Sequence, residues 1–193
     1  MGDLPGRLHQ WDRALSARIA LPADASSSRR AWLPSLGAHL GDSWLWLLIW
    51  GVLWRDARRR RHADGGRRES LVQSWLAAVI ASIAVTIGIK QVVQRPRPGS
   101  GTLLYGSGPD VHSFPSGHAA RISTIAMWAG LLAPHEQRHL GSLTGLVLAF
   151  TIGWSRVRLG IHYVGDVLAG YLLGGTIGFL SRRWWQQRHQ PPG

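Results

Sequence analysis

Long apolar stretches alternate with short polar connectors along most of the chain. Residues 71–89 carry no charged side chain over 19 positions, about the length that spans the hydrocarbon core of a bilayer. Similar stretches occupy residues 36–54, 117–134, 140–155 and 160–180. A soluble bundle would show a polar face of period 3.6 along such segments, and residues 71–89 show none. The pattern therefore predicts an all-α integral membrane helical bundle with five transmembrane helices.

The N-terminal part has an amphipathic pattern instead. Within residues 5–21, apolar side chains recur at spacings of three and four, at Leu8, Trp11, Leu15 and Ile19. This spacing predicts a helix that lies in the membrane interface or packs on the bundle, although Asp12 lies near its apolar side. The expected organisation is an N-terminal interfacial segment and linker (residues 1–34), a membrane-embedded domain (35–182) and a cytoplasmic tail (183–193).

The net charge of +12 at first suggests that the chain binds nucleic acid. However, seven arginines crowd the connector between residues 55 and 68, as the positive-inside rule expects of a cytoplasmic loop. Residues 94–114, after the next apolar segment, contain only two arginines, and their glycines and prolines predict an irregular loop. Membrane topology therefore explains the basic charge, and we expect no nucleic-acid partner. The chain has no cysteine, which excludes disulfides and thiolate metal sites.

Polar residues gather in three clusters at the ends of apolar segments. In chain order the clusters are Lys90 with Arg97-Pro98, then Pro115-Ser116-Gly117-His118, then Ser155-Arg156 with His162 and Asp166. If the arginine-rich connector is cytoplasmic, counting the predicted helices places all three clusters at the extracytoplasmic face. Bringing several cations together at a bilayer is costly unless an anion binds there.

The residue types in these clusters suit phosphoryl transfer without a metal ion. His162 and Asp166 are four positions apart and are expected on one helix face, where the carboxylate fixes the imidazole tautomer and leaves the other nitrogen to attack phosphorus. His118 is placed to protonate the departing oxygen. The remaining candidates would bind the phosphoryl oxygens through cationic side chains or the start of a helix: Lys90, Arg97, Arg156, Ser116 and Gly117.

Together the clusters resemble the type 2 phosphatidic acid phosphatase superfamily, which includes lipid phosphate phosphatases and bacterial undecaprenyl pyrophosphate phosphatases. The resemblance covers residues 90–166 directly and, through the helix pattern, most of residues 36–180. It implies that His162 is the nucleophile, Asp166 the supporting acid and His118 the general acid, with phosphate ligands at the five positions just named.

The same resemblance carries expectations about the reaction and its setting. It implies hydrolysis of a lipid phosphate or pyrophosphate (undecaprenyl pyrophosphate, phosphatidate or phosphatidylglycerophosphate) through a phosphohistidine, with no metal and no cofactor. The expected location is the cytoplasmic membrane, with the active site at its extracytoplasmic face. Members commonly have six spanning helices, whereas the pattern of this chain predicts five, or six if the N-terminal segment also crosses.

Other interpretations of the same residues remain open. His162 could pass the phosphoryl group to an acceptor hydroxyl instead of water, and a non-catalytic anion-binding or transport protein would use similar cations. Arg95, Arg121 and Arg158 could be ordinary interfacial cations or could meet a lipid headgroup. A metal site at His112, His118 and Asp110 lacks further ligands. Glycines at positions 170, 174 and 178 predict close helix packing, within one bundle rather than between copies, and the oligomeric state stays open.

Overall fold

The structure is a computed structural model that describes residues 4–22, 29–98 and 111–189. All regular structure in these ranges is helical, as the sequence predicted. The helices in chain order are α1 (Leu4–Ile19), α2 (Arg29–Leu40), α3 (Ser43–Arg59), α4 (Arg61–Asp64), α5 (Arg67–Val93), α6 (Gly117–Leu132), a 3₁₀ helix (His135–Gln137), α7 (Arg138–Arg158) and α8 (Val164–Arg188).

The apolar stretch 36–54 is not one straight helix. It is divided between α2 and α3, which meet at Gly41 and Asp42 with a bend of 47°. A carbon added at the Cα of Gly41 would lie 3.0 Å from Ile152 and would collide with the ring of His118. Glycine therefore lets the bend approach these two neighbours, which is a contact that hydropathy along the chain cannot reveal.

The number of membrane spans predicted from the sequence is not confirmed. Among the described residues, three helices are long and apolar enough to cross a bilayer, namely α5, the 3₁₀ helix with α7, and α8. The bent pair α2–α3 would make a fourth span. The predicted segment 117–134 forms α6, whose 16 residues extend about 24 Å, less than the roughly 30 Å of a hydrocarbon core.

Helix α6 is the central helix of the bundle. It packs mainly on α7 and α8 and also on α5, and most of its side chains are buried. The apolar core beside it includes the fully buried Trp75, Trp128 and Ile152. A helix enclosed by other helices has little contact with lipid, so its length need not match the bilayer.

Small residues let α8 approach α6 closely. A carbon added at Gly170 would lie 2.6 Å from the carbonyl oxygen of Ser116, and one at Gly178 would lie 2.8 Å from Met127. At Gly174 the added carbon would overlap the backbone of Ala120, and the Gly174 carbonyl accepts a hydrogen bond from Thr124 at 3.0 Å. The interpretation of this glycine row as packing within the bundle is confirmed.

The arginine-rich connector is largely helical. Helix α3 continues through Arg59, α4 follows directly, and α5 already begins at Arg67. Arginine is a good helix former, and exposed ion pairs such as Arg60–Asp56 (3.0 Å, four residues apart) add a little. At the other terminus α8 continues to Arg188, past the expected start of a tail at residue 183.

Candidate active site

The third cluster lies in the turn between α7 and α8. The chain leaves α7 at Arg158, passes Gly160 in a left-handed conformation (φ 66°) and enters α8 at Val164. His162 therefore precedes α8, and the expectation that His162 and Asp166 share one helix face is wrong. The two side chains nevertheless meet, with His162 Nδ1 3.6 Å from Asp166 Oδ2, and both are almost fully buried.

Helix capping produces this pairing. The Asp166 carboxylate turns back toward the start of α8, where Oδ2 accepts the backbone N–H of Tyr163 at 2.9 Å. The backbone N–H of His162 donates to the carbonyl of Arg156 at 3.2 Å, which holds the imidazole at the same end of the helix. The Asp166 carboxylate therefore serves the helix cap and faces His162 simultaneously.

The guanidinium of Arg97 lies beside Nε2, the other ring nitrogen of His162. Its Nη1 is 3.2 Å from His162 Nε2 and also donates to the Ile161 carbonyl at 3.2 Å, while Nε donates to the Val111 carbonyl. A guanidinium has no acceptor, so Nε2 must accept here, which assigns the imidazole proton to Nδ1 beside Asp166. In this tautomer the lone pair of Nε2 points into the cationic part of the site.

The first cluster joins this arrangement at the end of α5. Lys90 is 1% exposed, and its Nζ donates to the backbone carbonyl of His112. Arg156, in the last turn of α7, is likewise 1% exposed. Charged side chains so deeply buried near a bilayer are functional candidates by default.

The second cluster starts α6 and contacts the third. Ser116 is the N-cap residue, its Oγ accepts the N–H of Ala119 at 3.5 Å, and its own N–H donates to the backbone carbonyl of Asp166 at 2.9 Å. His118 follows in the first turn of α6 and is 7% exposed. The structure thus brings all three clusters together at one end of the bundle.

Asp42 is a neighbour of His118 that the sequence analysis did not select. Its Oδ1 lies 3.5 Å from His118 Nε2, and its Oδ2 lies 3.1 Å from His39 Nδ1. Arg121, considered above as an interfacial cation, instead donates to the Gly41 carbonyl at 2.5 Å and so ties α6 to the α2–α3 bend. A lone carboxylate at the start of an apolar segment was the available signal, because such residues are rarely tolerated without a role.

Arg95 and Arg158 are not free interfacial cations either. Arg95 donates through Nη1 to Asp166 Oδ1 at 2.6 Å and through Nη2 to Asp12 Oδ2 at 2.8 Å, and its guanidinium lies 4.0 Å above the ring of Tyr163. Burial lowers the pKa of Arg95, but the hydrogen bonds and charges of the two carboxylates outweigh burial and raise this pKa overall. Arg158 donates to the Ile19 carbonyl of α1 at 2.7 Å.

Helix α1 therefore turns the side that carries Asp12 and Ser16 toward the site. Asp12 Oδ1 accepts the N–H of Gly165, and Ser16 Oγ accepts the N–H of Val164, so both side chains cap α8 from outside. The apolar side chains of Leu8 and Trp11 are 62% and 71% exposed. Ile19 packs against the buried cluster of Ala119, Val157 and Val167, so α1 lies on the bundle while much of its apolar side stays exposed.

Two further features bear on ligands. The described residues contain no group of three His, Asp or Glu side chains that could hold a metal ion; Asp110 lies outside them.

An apolar cavity of about 210 Å³ lies between α3 and α5, lined by side chains that include Trp46, Trp50, Trp75 and Arg121. A cavity of about 680 Å³ among Arg67, Arg68 and other residues lies at the opposite end of the bundle, away from the clusters.

Comparison with known proteins identifies the family. A model described as the PAP2 superfamily matches residues 71–190, which include all three clusters. The chain belongs to the PAP2 superfamily. This is the family of the resemblance described above, and the predicted class of enzyme, a phosphatase, is confirmed with it.

Individual PAP2 relatives agree with this assignment. The chain is 35% identical to a decaprenylphosphoryl-5-phosphoribose phosphatase of Mycobacterium tuberculosis over 73% of this chain and 72% of the relative. It is 38% identical to an undecaprenyl-diphosphatase of Sulfolobus acidocaldarius, covering 73% and 64% of the two chains. The crystal structure of a transmembrane PAP2-type phosphatidylglycerolphosphate phosphatase of Bacillus subtilis matches in fold, with a TM-score of 0.78, 24% identity, and coverage of 95% and 88%. The chain is therefore an integral membrane protein of this fold.

Proposed function

We propose that this PAP2 protein hydrolyses a phosphate monoester or pyrophosphate of a membrane lipid through a phosphohistidine at His162. The observation that carries the proposal is the environment of that imidazole. Its Nδ1 faces the Asp166 carboxylate at 3.6 Å, and its Nε2 points at the Arg97 guanidinium, 3.2 Å away. A nucleophile with one nitrogen supported by an acid and the other beside an anion-binding cation is what attack on phosphorus requires.

The proposed first step follows from this geometry. A phosphoryl group enters among Lys90, Arg97 and Arg156, whose charges offset those of its oxygens. Arg97 then donates to a phosphoryl oxygen instead of Nε2, and the freed lone pair forms the N–P bond. The bond from phosphorus to the leaving oxygen breaks as His118 gives that oxygen a proton. Asp166 stabilises the positive charge that remains on the ring at Nδ1–H.

In the proposed second step, water attacks the phosphohistidine. His118, now without its proton, takes one from the water as the new P–O bond forms and the N–P bond breaks. Inorganic phosphate leaves, and both histidines return to their starting protonation states. Ser116, through its hydroxyl, and Gly117, through its backbone N–H, complete the proposed phosphate site at the start of α6. The backbone N–H of Ser116 is already bound to the Asp166 carbonyl.

The proposed substrate class is a lipid with a terminal phosphate or pyrophosphate. The relatives named above act on polyprenyl-linked phosphates, and the fold relative from Bacillus subtilis on a phosphatidylglycerol phosphate. Undecaprenyl pyrophosphate, phosphatidate and phosphatidylglycerophosphate are therefore the substrates to assay. The apolar cavity between α3 and α5 reaches Arg121, next to the α2–α3 bend, and could take part of an acyl or polyprenyl chain.

We further propose that the site faces the extracytoplasmic side of the cytoplasmic membrane. All three clusters lie at one end of the bundle, whereas the seven arginines of residues 55–68 lie on α3, α4 and α5 at the other end. The positive-inside rule assigns the arginine-rich end to the cytoplasm.

The function is tested by phosphate release from the three lipids by purified protein. His162→Ala should abolish turnover, and His118→Ala should lower it by about 10²–10⁴ with ordinary leaving groups. A leaving group of low pKa needs no proton and should recover much of the second loss. His135→Ala, in the 3₁₀ helix at the opposite end, is the matched control and should retain activity. Turnover by His162→Ala at the rate of the unmodified protein would refute the mechanism.

A lipid phosphotransferase is the second candidate, because the same phosphohistidine could be attacked by a hydroxyl. Product analysis with and without an added acceptor lipid separates the two activities. A phosphorylated acceptor at the expense of free phosphate would favour transfer.

A further inference from the structure

Helix α1 contacts Arg95 through two side chains, Asp12 and His9, and His9 Nδ1 lies 3.1 Å from Arg95 Nη2. Asp12 Oδ2 accepts from Arg95 at 2.8 Å, and Asp12 Oδ1 accepts the N–H of Gly165 at 2.8 Å. The side chains of Asp12 and Arg95 are only 17% and 14% exposed, so the ion pair is shielded from water. Helix α1 lies outside residues 71–190, the part of the chain that the family model matches.

Arg95 continues this contact to the nucleophile's supporting acid. Its second amino group donates to Asp166 Oδ1 at 2.6 Å, which is at the short end for a charge-assisted hydrogen bond. The Arg95 carbonyl accepts the Ser113 N–H at 2.8 Å, and the Tyr163 ring lies 4.0 Å from the guanidinium. Arg95 is thus held on its backbone and on its planar face, and it bridges two carboxylates.

The bridge determines where the Asp166 carboxylate points. Oδ1 is held by Arg95, and Oδ2 is held by the Tyr163 N–H at 2.9 Å, on the side that faces His162. With both oxygens held, rotation about the side-chain bond would break one hydrogen bond or the other. A glutamine at position 95 could not hold Oδ1 with a charge, and the carboxylate would gain freedom to turn from His162 Nδ1.

We propose that Asp12 and Arg95 are positioning residues for catalysis, which orient Asp166 and through it His162, so that α1 is a working part of the active site. This inference rests on the proposed role of His162 as nucleophile.

The glycine at position 165 supports this inference independently. A carbon added at its Cα would lie 2.7 Å from Asp12 Oδ2 and 3.2 Å from Asp12 Cγ. Any larger residue would push Asp12 away from Arg95. Gly165→Ala should therefore reproduce the loss caused by Asp12 substitutions, although it alters neither carboxylate nor the guanidinium.

The competing explanation is that these contacts only anchor α1 on the bundle. Arg158 provides the matched control, because it also binds α1, donating to the Ile19 carbonyl at 2.7 Å, and none of its hydrogen bonds described here reaches Asp166. A purely anchoring role predicts similar losses from Arg158→Gln and Arg95→Gln. A positioning role predicts a loss of turnover from Arg95→Gln alone.

The test measures kcat and KM for lipid phosphate hydrolysis, and the thermal midpoint, on purified full-length variants. Arg95→Gln should lower kcat by about 10–100-fold, the usual scale for residues that orient a functional side chain, with KM nearly unchanged. Arg95→Lys should recover part of this loss, because it keeps the charge. Asp12→Asn keeps an acceptor for the Gly165 N–H and should lower kcat less. Combined with Arg95→Gln it should add nothing, since the contact that this asparagine weakens is the one to Arg95.

Several results would overturn the inference. Wild-type kcat in Arg95→Gln would do so, as would equal kcat losses in Arg95→Gln and Arg158→Gln. If Arg95→Gln does not fold, wild-type kcat in both Arg95→Lys and Asp12→Asn would be decisive against it. His162→Ala in the same series distinguishes failure of the proposed function from failure of this inference. An active His162→Ala variant would refute both. An inactive His162→Ala variant beside fully active Arg95 and Asp12 variants would refute this inference alone.

Discussion

The contact between α6 and α8 leads to a prediction about two adjacent glycines. A carbon added at Gly174 would lie 2.6 Å from the carbonyl carbon and 2.8 Å from the Cα of Ala120, which are backbone atoms of α6. Ordinary carbon–carbon contacts are about 3.5–4.0 Å, so Gly174→Ala requires the two helices to separate by roughly 1 Å. At Gly175 the added carbon would lie 3.3 Å from Ser123 Oγ, which donates to the Tyr171 carbonyl at 3.0 Å and would have to shift only slightly.

Comparing the two substitutions isolates the free-energy cost of overpacking between α6 and α8. Both replace glycine by alanine inside α8, so the gain of up to about 1 kcal/mol in helix propensity is the same in each. Overpacking against an immovable backbone costs about 3 kcal/mol, the upper end of the usual range. For a chain of this size, 1 kcal/mol shifts the unfolding midpoint by about 2–4 °C, so Gly174→Ala should melt about 6–12 °C below Gly175→Ala.

The assay is thermal unfolding of both variants in the same detergent, with phosphate release measured below both midpoints. Separation of α6 from α8 would also lengthen the hydrogen bond from the Ser116 N–H to the Asp166 carbonyl, now 2.9 Å, so Gly174→Ala should lose turnover even while folded. Gly175→Ala should keep both properties. Equal midpoints for the two variants would show that α6 and α8 are not packed backbone to backbone, and the structural reasoning would fail.

Three further predictions concern the site and its orientation. Activity should survive excess EDTA and be inhibited by vanadate, a mimic of five-coordinate phosphorus; loss on chelation with recovery on adding Mg²⁺ would contradict a clamp made of side chains. Arg97→Lys should lower turnover by about 10–10³-fold, the scale for losing a transition-state donor, because a point charge cannot replace the planar guanidinium; wild-type turnover would exclude Arg97 from the clamp. In cells whose outer membrane has been made permeable, a membrane-impermeant maleimide should label Val111→Cys and spare Ala63→Cys. Ala63, which lies in the arginine-rich connector, should react only after the cytoplasmic membrane is disrupted. The reverse pattern of labelling would place the site in the cytoplasm.

The residues that gather at the candidate site could be predicted because charged side chains are costly to bury near a bilayer. Lys90, Arg156, His162 and Asp166 are each at most 2% exposed, at the ends of helices rich in apolar residues. Buried charges near a bilayer persist only with partners or a function, so their types and order carried information without any coordinates. The helix pattern carried the same kind of information, because apolar runs of about 19 residues have few other uses.

Contacts between distant segments could not be predicted in this way. Arg95 meets Asp166 across 71 positions and Asp12 across 83, and Asp42 meets His118 across 76. Asp12 was noticed only as a charge near the apolar side of an amphipathic helix. That pattern identified the helix correctly, but it could not show that Asp12 and Ser16 would cap α8. The bend at Gly41 was not predicted for the same reason, since the neighbour that requires a glycine there is the ring of His118 on another helix.

The pair His162–Asp166 shows that the right contact can follow from the wrong geometry. A spacing of four was interpreted as one helical turn, but α8 begins only at Val164, after His162. The spacing works because Asp166 occupies the third position of α8, where a carboxylate naturally turns back to the N-cap residue, Tyr163. The carboxylate then faces the preceding residue, which is His162. This pairing therefore depends on where α8 starts, and α1 helps to fix that start through Asp12 and Ser16. The position of His162, the proposed nucleophile, therefore depends in part on α1, a helix that carries none of the three clusters.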